Sequence, residues 1–151
     1  MSILTICEAI KNIGAKVDGI ETAFSEPPVK LDTAELPALY PFTGPAVYDG
    51  EVEGDDGLIV TRQYRVHVAT SMKGQDDEIA AEQNGKTLLE AVVLRFANRP
   101  SLANTAGVIE AKVLSDTGVI ILPEYSGKVI GFEVVVQVSE YVIREIVDYD
   151  F

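Results

Sequence analysis

Few side chains in this sequence belong to the types that make or break bonds. The chain has one histidine, His67, one cysteine, Cys7, and no tryptophan. A histidine that acts as a base needs a nucleophile on one ring nitrogen and an orienting acid on the other. Nothing local to His67 marks either partner. Period-two alternation places it with Thr61, Arg65 and Ala69 on the less apolar face of a strand, which predicts a surface or interface histidine. Cys7 falls on the apolar side of a short amphipathic segment, the ordinary place for a small buried residue.

Two strings approach ligand motifs and fail on spacing. Gly85-Lys86-Thr87 ends like a phosphate-binding loop, but the position that must be glycine is Ala80. The tripeptide also lies inside a predicted helix, not at a strand-to-helix turn. Asp49-Gly50-Glu51-Val52-Glu53-Gly54 matches the start of a calcium loop, yet the position that needs a bidentate glutamate is Val60 and the flanks read as strands. A solvated hairpin tip is expected there. Structural zinc draws on about four Cys or His ligands, more than this chain owns. Its 24 acidic residues include possible carboxylate pairs for glycoside hydrolysis, but no tryptophan is present to stack a sugar. No catalytic, cofactor-binding or metal-binding residue is expected, and the chain does not read as an enzyme. The alternative is a small-ligand module or enzyme using a crevice beside the sheet.

The elements that would position these groups are written in the hydrophobic pattern. Ser2 to Ile13 carries Ile3, Cys7 and Ile10 on one face, with Ile6 and Ile13 beside it, and Gly14 closes it: a short helix. Val17–Ala23 reads as a strand. Residues 25–45 hold Pro27, Pro28, Pro37, Pro41 and Pro45, so they predict an ordered extended arm or edge and not a central strand. Val47–Val52 and Leu58–Ser71 read as strands joined by the Gly/Asp-rich tip. Asp76, Asp77 and Glu78 open a long helix that runs to about Asn98 and ends before Pro100. Gly85 weakens its first half by roughly 1 kcal/mol. Val108–Leu114, Val119–Leu122 and Val129–Ile143 then read as strands, the last with Ile130, Phe132, Val134, Val136 and Val138 on one face. This order predicts a single α+β domain, a mostly antiparallel sheet packed on one side by one long and one short helix. Residues 144–151 form an acidic C-terminal tail.

Composition narrows the partners. The formal charge is −12 and the 12 Lys and Arg are scattered, so general binding to nucleic acid or anionic membrane is not expected. A lone cysteine rules out an intrachain disulfide. The opening lacks a basic n-region, and no apolar stretch approaches the roughly 18 residues of a membrane span. The chain is expected to be soluble and made in a cytoplasm.

Several strings together resemble the tail terminator and related neck proteins of tailed bacteriophages. They are Leu36-Pro37-Ala38-Leu39-Tyr40-Pro41 with Thr43-Gly44-Pro45, the strand Tyr64-Arg65-Val66-His67-Val68, and Asn98-Arg99-Pro100-Ser101-Leu102. Ser115-Asp116-Thr117-Gly118 and the closing Gly131-Phe132-Glu133 complete the pattern. The resemblance implies a hexameric ring that caps the tail tube and meets a neck or head-completion protein in the virion. It implies no active site, no cofactor and no membrane, with DNA passing the lumen without specific binding. Another head–tail connector of similar fold is the close alternative. Three places are expected to form interfaces. They are the stiff apolar arm with Leu36, Leu39, Tyr40 and Phe42, the polar loop with Met72, Lys73, Gln75 and Asp76, and the tail aromatics Tyr149 and Phe151.

Overall fold

A computed structural model describes residues 2–50, 57–75 and 77–143. The first helix, α1 (Ser2–Ala15), buries Ile6, Cys7, Ile10 and Ile13, residues spaced to share one helical face. Its last turn lies close on the sheet because Gly14 has no side chain; a Cβ there would meet Leu39 Cδ1 at 2.6 Å. The expected strand over Val17–Ala23 shrinks to β1 (Thr22–Ala23). Gly19 takes a positive φ of 101° and turns the chain before an extended segment can start.

The proline-rich segment supplies an edge of the sheet, one of the two places its prolines allow. Its second half belongs to the sheet, as β2 (Ala38–Asp49). Among the described residues, the outer edge of this strand pairs only with β1, at Ala38 and Leu39. Proline costs least on such an edge, and Pro45 falls in the register shift between Thr43 and Ala46. Next come β3 (Gly57–Met72), α2 (Glu78–Ala97), β4 (Val108–Asp116), β5 (Ile120–Leu122) and β6 (Val129–Ile143). Asp77 caps α2 by accepting from the Ala80 amide at 2.7 Å. The buried stripe of α2 is Ala81, Gly85, Leu88, Val92 and Phe96. Gly85, an apparent weakness in a helix, lets Val119 pack against the backbone; a Cβ would meet Val119 Cγ2 at 2.8 Å.

The fold is α+β. The sheet runs β1-β2-β3-β6-β4, with β5 following β4 along the same side of β6. All pairings are antiparallel except β1 with β2. The long ladder between β3 and β6 is the spine. On its inner face Tyr64, Val66 and Val68 meet Phe132, Val134 and Val136 beneath both helices, forming the main core. A second, smaller core lies on the opposite face. There Leu31, Ala38, Tyr40, Ala69, Leu122 and Val129 are covered by residues 24–36 and by a short turn, Tyr125–Gly127. No described helix is long and apolar enough to cross a membrane.

Candidate functional site

The second core holds the charged cluster of the molecule. His67 lies on the outer face of β3 as its alternation requires, but it is 3% exposed, not a surface residue. The face that looked solvated is roofed by chain from elsewhere. Glu124 comes down from the turn after β5 and places Oε2 2.5 Å from His67 Nδ1. Glu133, the cross-strand partner of His67 on β6, places Oε1 2.9 Å from Nε2. Tyr40, opposite His67 on β2, donates its hydroxyl to Glu124 Oε2 at 2.9 Å. Arg65 stands 3.8 Å from Glu133 and 5.1 Å above the Phe42 ring, while Phe42 meets the imidazole edge-on at 4.7 Å. Cation–π and edge contacts of this kind favour positive charge on this side of the cluster.

The turn that carries Glu124 is strained. Tyr125 and Ser126 both have φ of 57°, a left-handed conformation that costs a non-glycine residue about 1–2 kcal/mol. The clasp holds it in place: Tyr125 donates to the Pro28 carbonyl, and Glu124 is anchored by two strands. One network thus ties β2, β3 and β6 to both covering segments.

The geometry indicates what the histidine does. Both ring nitrogens face carboxylate oxygens, Nδ1 that of Glu124 and Nε2 that of Glu133. Neither nitrogen therefore points into open space, since each is already occupied by a side chain of the same chain. The two acids approach different edges of the ring, so their oxygens do not converge. No group of three or more His, Cys, Asp or Glu among the described residues is placed to hold a metal. Cys7, buried and free, has its pKa raised, chiefly by burial, and lies in the other core.

Burial pushes the Glu124 carboxyl up, but bonds from His67, its own backbone and Tyr40 outweigh it, and the net shift is downward. A carboxylate depressed on folding contributes stability that is complete above its unfolded pKa, about 4.3, and is lost as pH falls through the folded value. Urea midpoints should therefore hold steady above the carboxylate range and fall below it. Glu124→Gln should flatten that acid-side slope; an unchanged slope would show that Glu124 is not the group responsible.

The expected interface residues divide. Leu39 and Tyr40 are fully buried inside the subunit, one in each core, so they are not contact residues. Their alternating faces both find cover because helices lie on one side and the 24–36 segment on the other. Leu36, Phe42 and Met72 are half-buried against the second core. Lys73 and Gln75 are exposed on a turn that is closed, since Gln75 Oε1 accepts from the Met72 amide at 3.1 Å. Asp76, Tyr149 and Phe151 lie outside the described residues.

Sequence reasoning missed the sheet edges. Val47 and Tyr48 are exposed on β2, at one side of the sheet; Ile109, Leu114, Ile120 and Ile121 are exposed on β4 and β5, at the other. Bulges set several of these residues, and bulges leave little trace in an apolar pattern. No model of a known protein family matches the chain, and no curated protein is significantly similar to it.

Proposed function

We propose that the protein is a structural subunit that closes into a ring with copies of itself, as a phage tail terminator or neck protein does. One observation carries this reading: a single sheet ends in two unlike apolar edges on opposite sides. A ring needs a heterologous contact, one patch meeting a different patch on the next copy. On one side Val47 is 72% exposed beside Tyr48; on the other Ile109 is 55% exposed and Ile121 51%. Open edges bearing large apolar groups are an aggregation hazard unless something covers them. Pro41 and Pro45 blunt the β2 edge for strand addition, so that side meets its neighbour through side chains.

The buried cluster supports the same reading. His67 serves as a clasp on the outer face, and a rigid face suits a part that must fit fixed neighbours. In a tail, the partners of such a ring are the tail tube on one side and a neck or head-completion protein on the other. The net charge of −12 lets DNA pass a lumen without adhering, since like charge suppresses phosphate contacts.

Ile109→Asp and Ile121→Asp, made together, test the edge. Each should weaken self-association by about 2 kcal/mol or more, the scale of a central apolar contact, with far-UV circular dichroism unchanged. Native mass spectrometry of the unaltered protein should show a closed ring and the variant a monomer. An unaltered protein that is monomeric at every concentration, and absent from tail particles, would sink the reading.

A further inference from the structure

The basic residues of this acidic chain are sparse, yet three of them converge on one groove. It lies between α1, the end of α2 and the loop after it, with a volume of about 620 Å³. Leu4, Ile13 and Leu102 give it an apolar floor, and Lys16, Arg95 and Arg99 stand along its margin. Among the described residues none of these three cations is in an ion pair, and Arg95 Nε is buried without a hydrogen-bond partner. Glu8 also lines the groove but is engaged by Lys11 at 3.6 Å. Leu4, in the first turn of α1, is 74% exposed there, a large apolar group left at the surface. Arg95 and Arg99 also complement the C-terminal dipole of α2, but that role explains neither the apolar floor nor Lys16.

We propose that this groove is the docking site of residues 144–151 of the same chain. The sequence there is Arg-Glu-Ile-Val-Asp-Tyr-Asp-Phe. Val147, Tyr149 and Phe151 alternate with Asp148 and Asp150, so an extended peptide presents apolar groups on one side and carboxylates on the other. That matches an apolar floor with basic margins. The connection is short as well. The Tyr141 amide of β6 donates to Gly107 at 2.9 Å, and Gly107 is two residues beyond Thr105, which also lines the groove. Eight extended residues reach about 27 Å. Tethering raises the effective concentration of the segment far above that of a separate copy. This inference does not rest on ring formation: the segment and the groove belong to one copy, and neither sheet edge takes part.

Zero-length carbodiimide coupling of the full-length protein tests it, because the reagent joins an amine only to a carboxylate already in contact. Peptide mapping should find Lys16 joined to Asp148 or Asp150. In a mixture of isotopically light and heavy protein, the joined peptides should carry one label only. Arg95→Glu with Arg99→Glu should lower the yield at least about fivefold, the effect of losing about 1 kcal/mol of ion pairing. Should that variant misfold, raising salt to about 1 M on the unaltered protein, where the Debye length is about 3 Å, should cut the yield likewise. Mixed-label products would assign the groove to a neighbouring copy and overturn the proposal. Coupling of Asp148 and Asp150 equally to all lysines, or no coupling at all, would also overturn it.

Discussion

Gly131→Ala is expected to lower the free energy of unfolding by about 3–5 kcal/mol, among the largest effects a single methyl can have. Gly131 sits in β6 between two neighbours, opposite Ala69 on β3 and Ile120 on β5. A Cβ built on it falls far inside van der Waals contact with the Val68 carbonyl oxygen, and 2.9 Å from Leu122 Cδ1. The first obstacle is backbone in the central ladder, so it cannot swing aside as a flexible side chain can. The bulge between Ala69 and Ser71 lies at this point, where β3 bends toward its partner. Relief would require β3 and β6 to part, loosening the support of His67, Glu133 and the turn bearing Glu124. Chemical denaturation should register the loss directly. Gly50→Ala is the control: none of the described residues lies within 4 Å of a Cβ there, and stability should stay within about 0.5 kcal/mol. Equal effects at the two sites would refute the packing argument.

His67→Ala should cost about 3 kcal/mol. The reason is less the lost contacts than what remains. Glu124 and Glu133, with side chains 15% and 21% exposed, would lose the imidazole that stands between them. Tyr40 would still donate to Glu124 and Arg65 would still stand 3.8 Å from Glu133, but each carboxylate would lose its contact with the ring. Removing the acid as well should recover part of the loss. In a double-mutant cycle of His67→Ala with Glu124→Gln, the coupling should be about 1–2 kcal/mol, as for residues that share one network. Additive effects would mean that His67 merely fills space. Hydrogen exchange should also rise in the Tyr125–Gly127 turn, whose left-handed residues depend on the clasp.

Much of the frame was legible in residue order. The alternation from Leu58 onward and from Val129 onward placed the two spine strands and assigned Tyr64, Val66, Val68, Phe132, Val134 and Val136 to one buried face. That signal is local: a two-residue repeat is written by the strand that uses it. The acids before Glu78 likewise announced a helix start, because a cap acts within its own first turn. The proline-rich segment was legible as an arm or an edge but not as which of the two, because proline reports only what its own nitrogen lacks. Whether the missing donor matters depends on which edge of a sheet it meets, and that is decided elsewhere.

The candidate site was legible only in outline. Alternation put His67 on the face away from the main core, and that is where it lies. Nothing in the period said that this face would be covered. Its partners Glu124 and Glu133 are 57 and 66 residues away in sequence. Leu39 and Tyr40 were recognised as apolar groups in need of cover, but the chain's own folding supplied that cover, leaving none for a neighbour.

The order of residues by itself determined the two helices, the long amphipathic strands and the α+β class, since periodicity and capping act over a few residues. Only the tertiary structure decided which strands became edges, that a second core closes over the histidine, and that three scattered cations share a groove. These are distances between remote parts of the chain. Burial and electrostatic pairing depend on such distances, and no short window of sequence contains them.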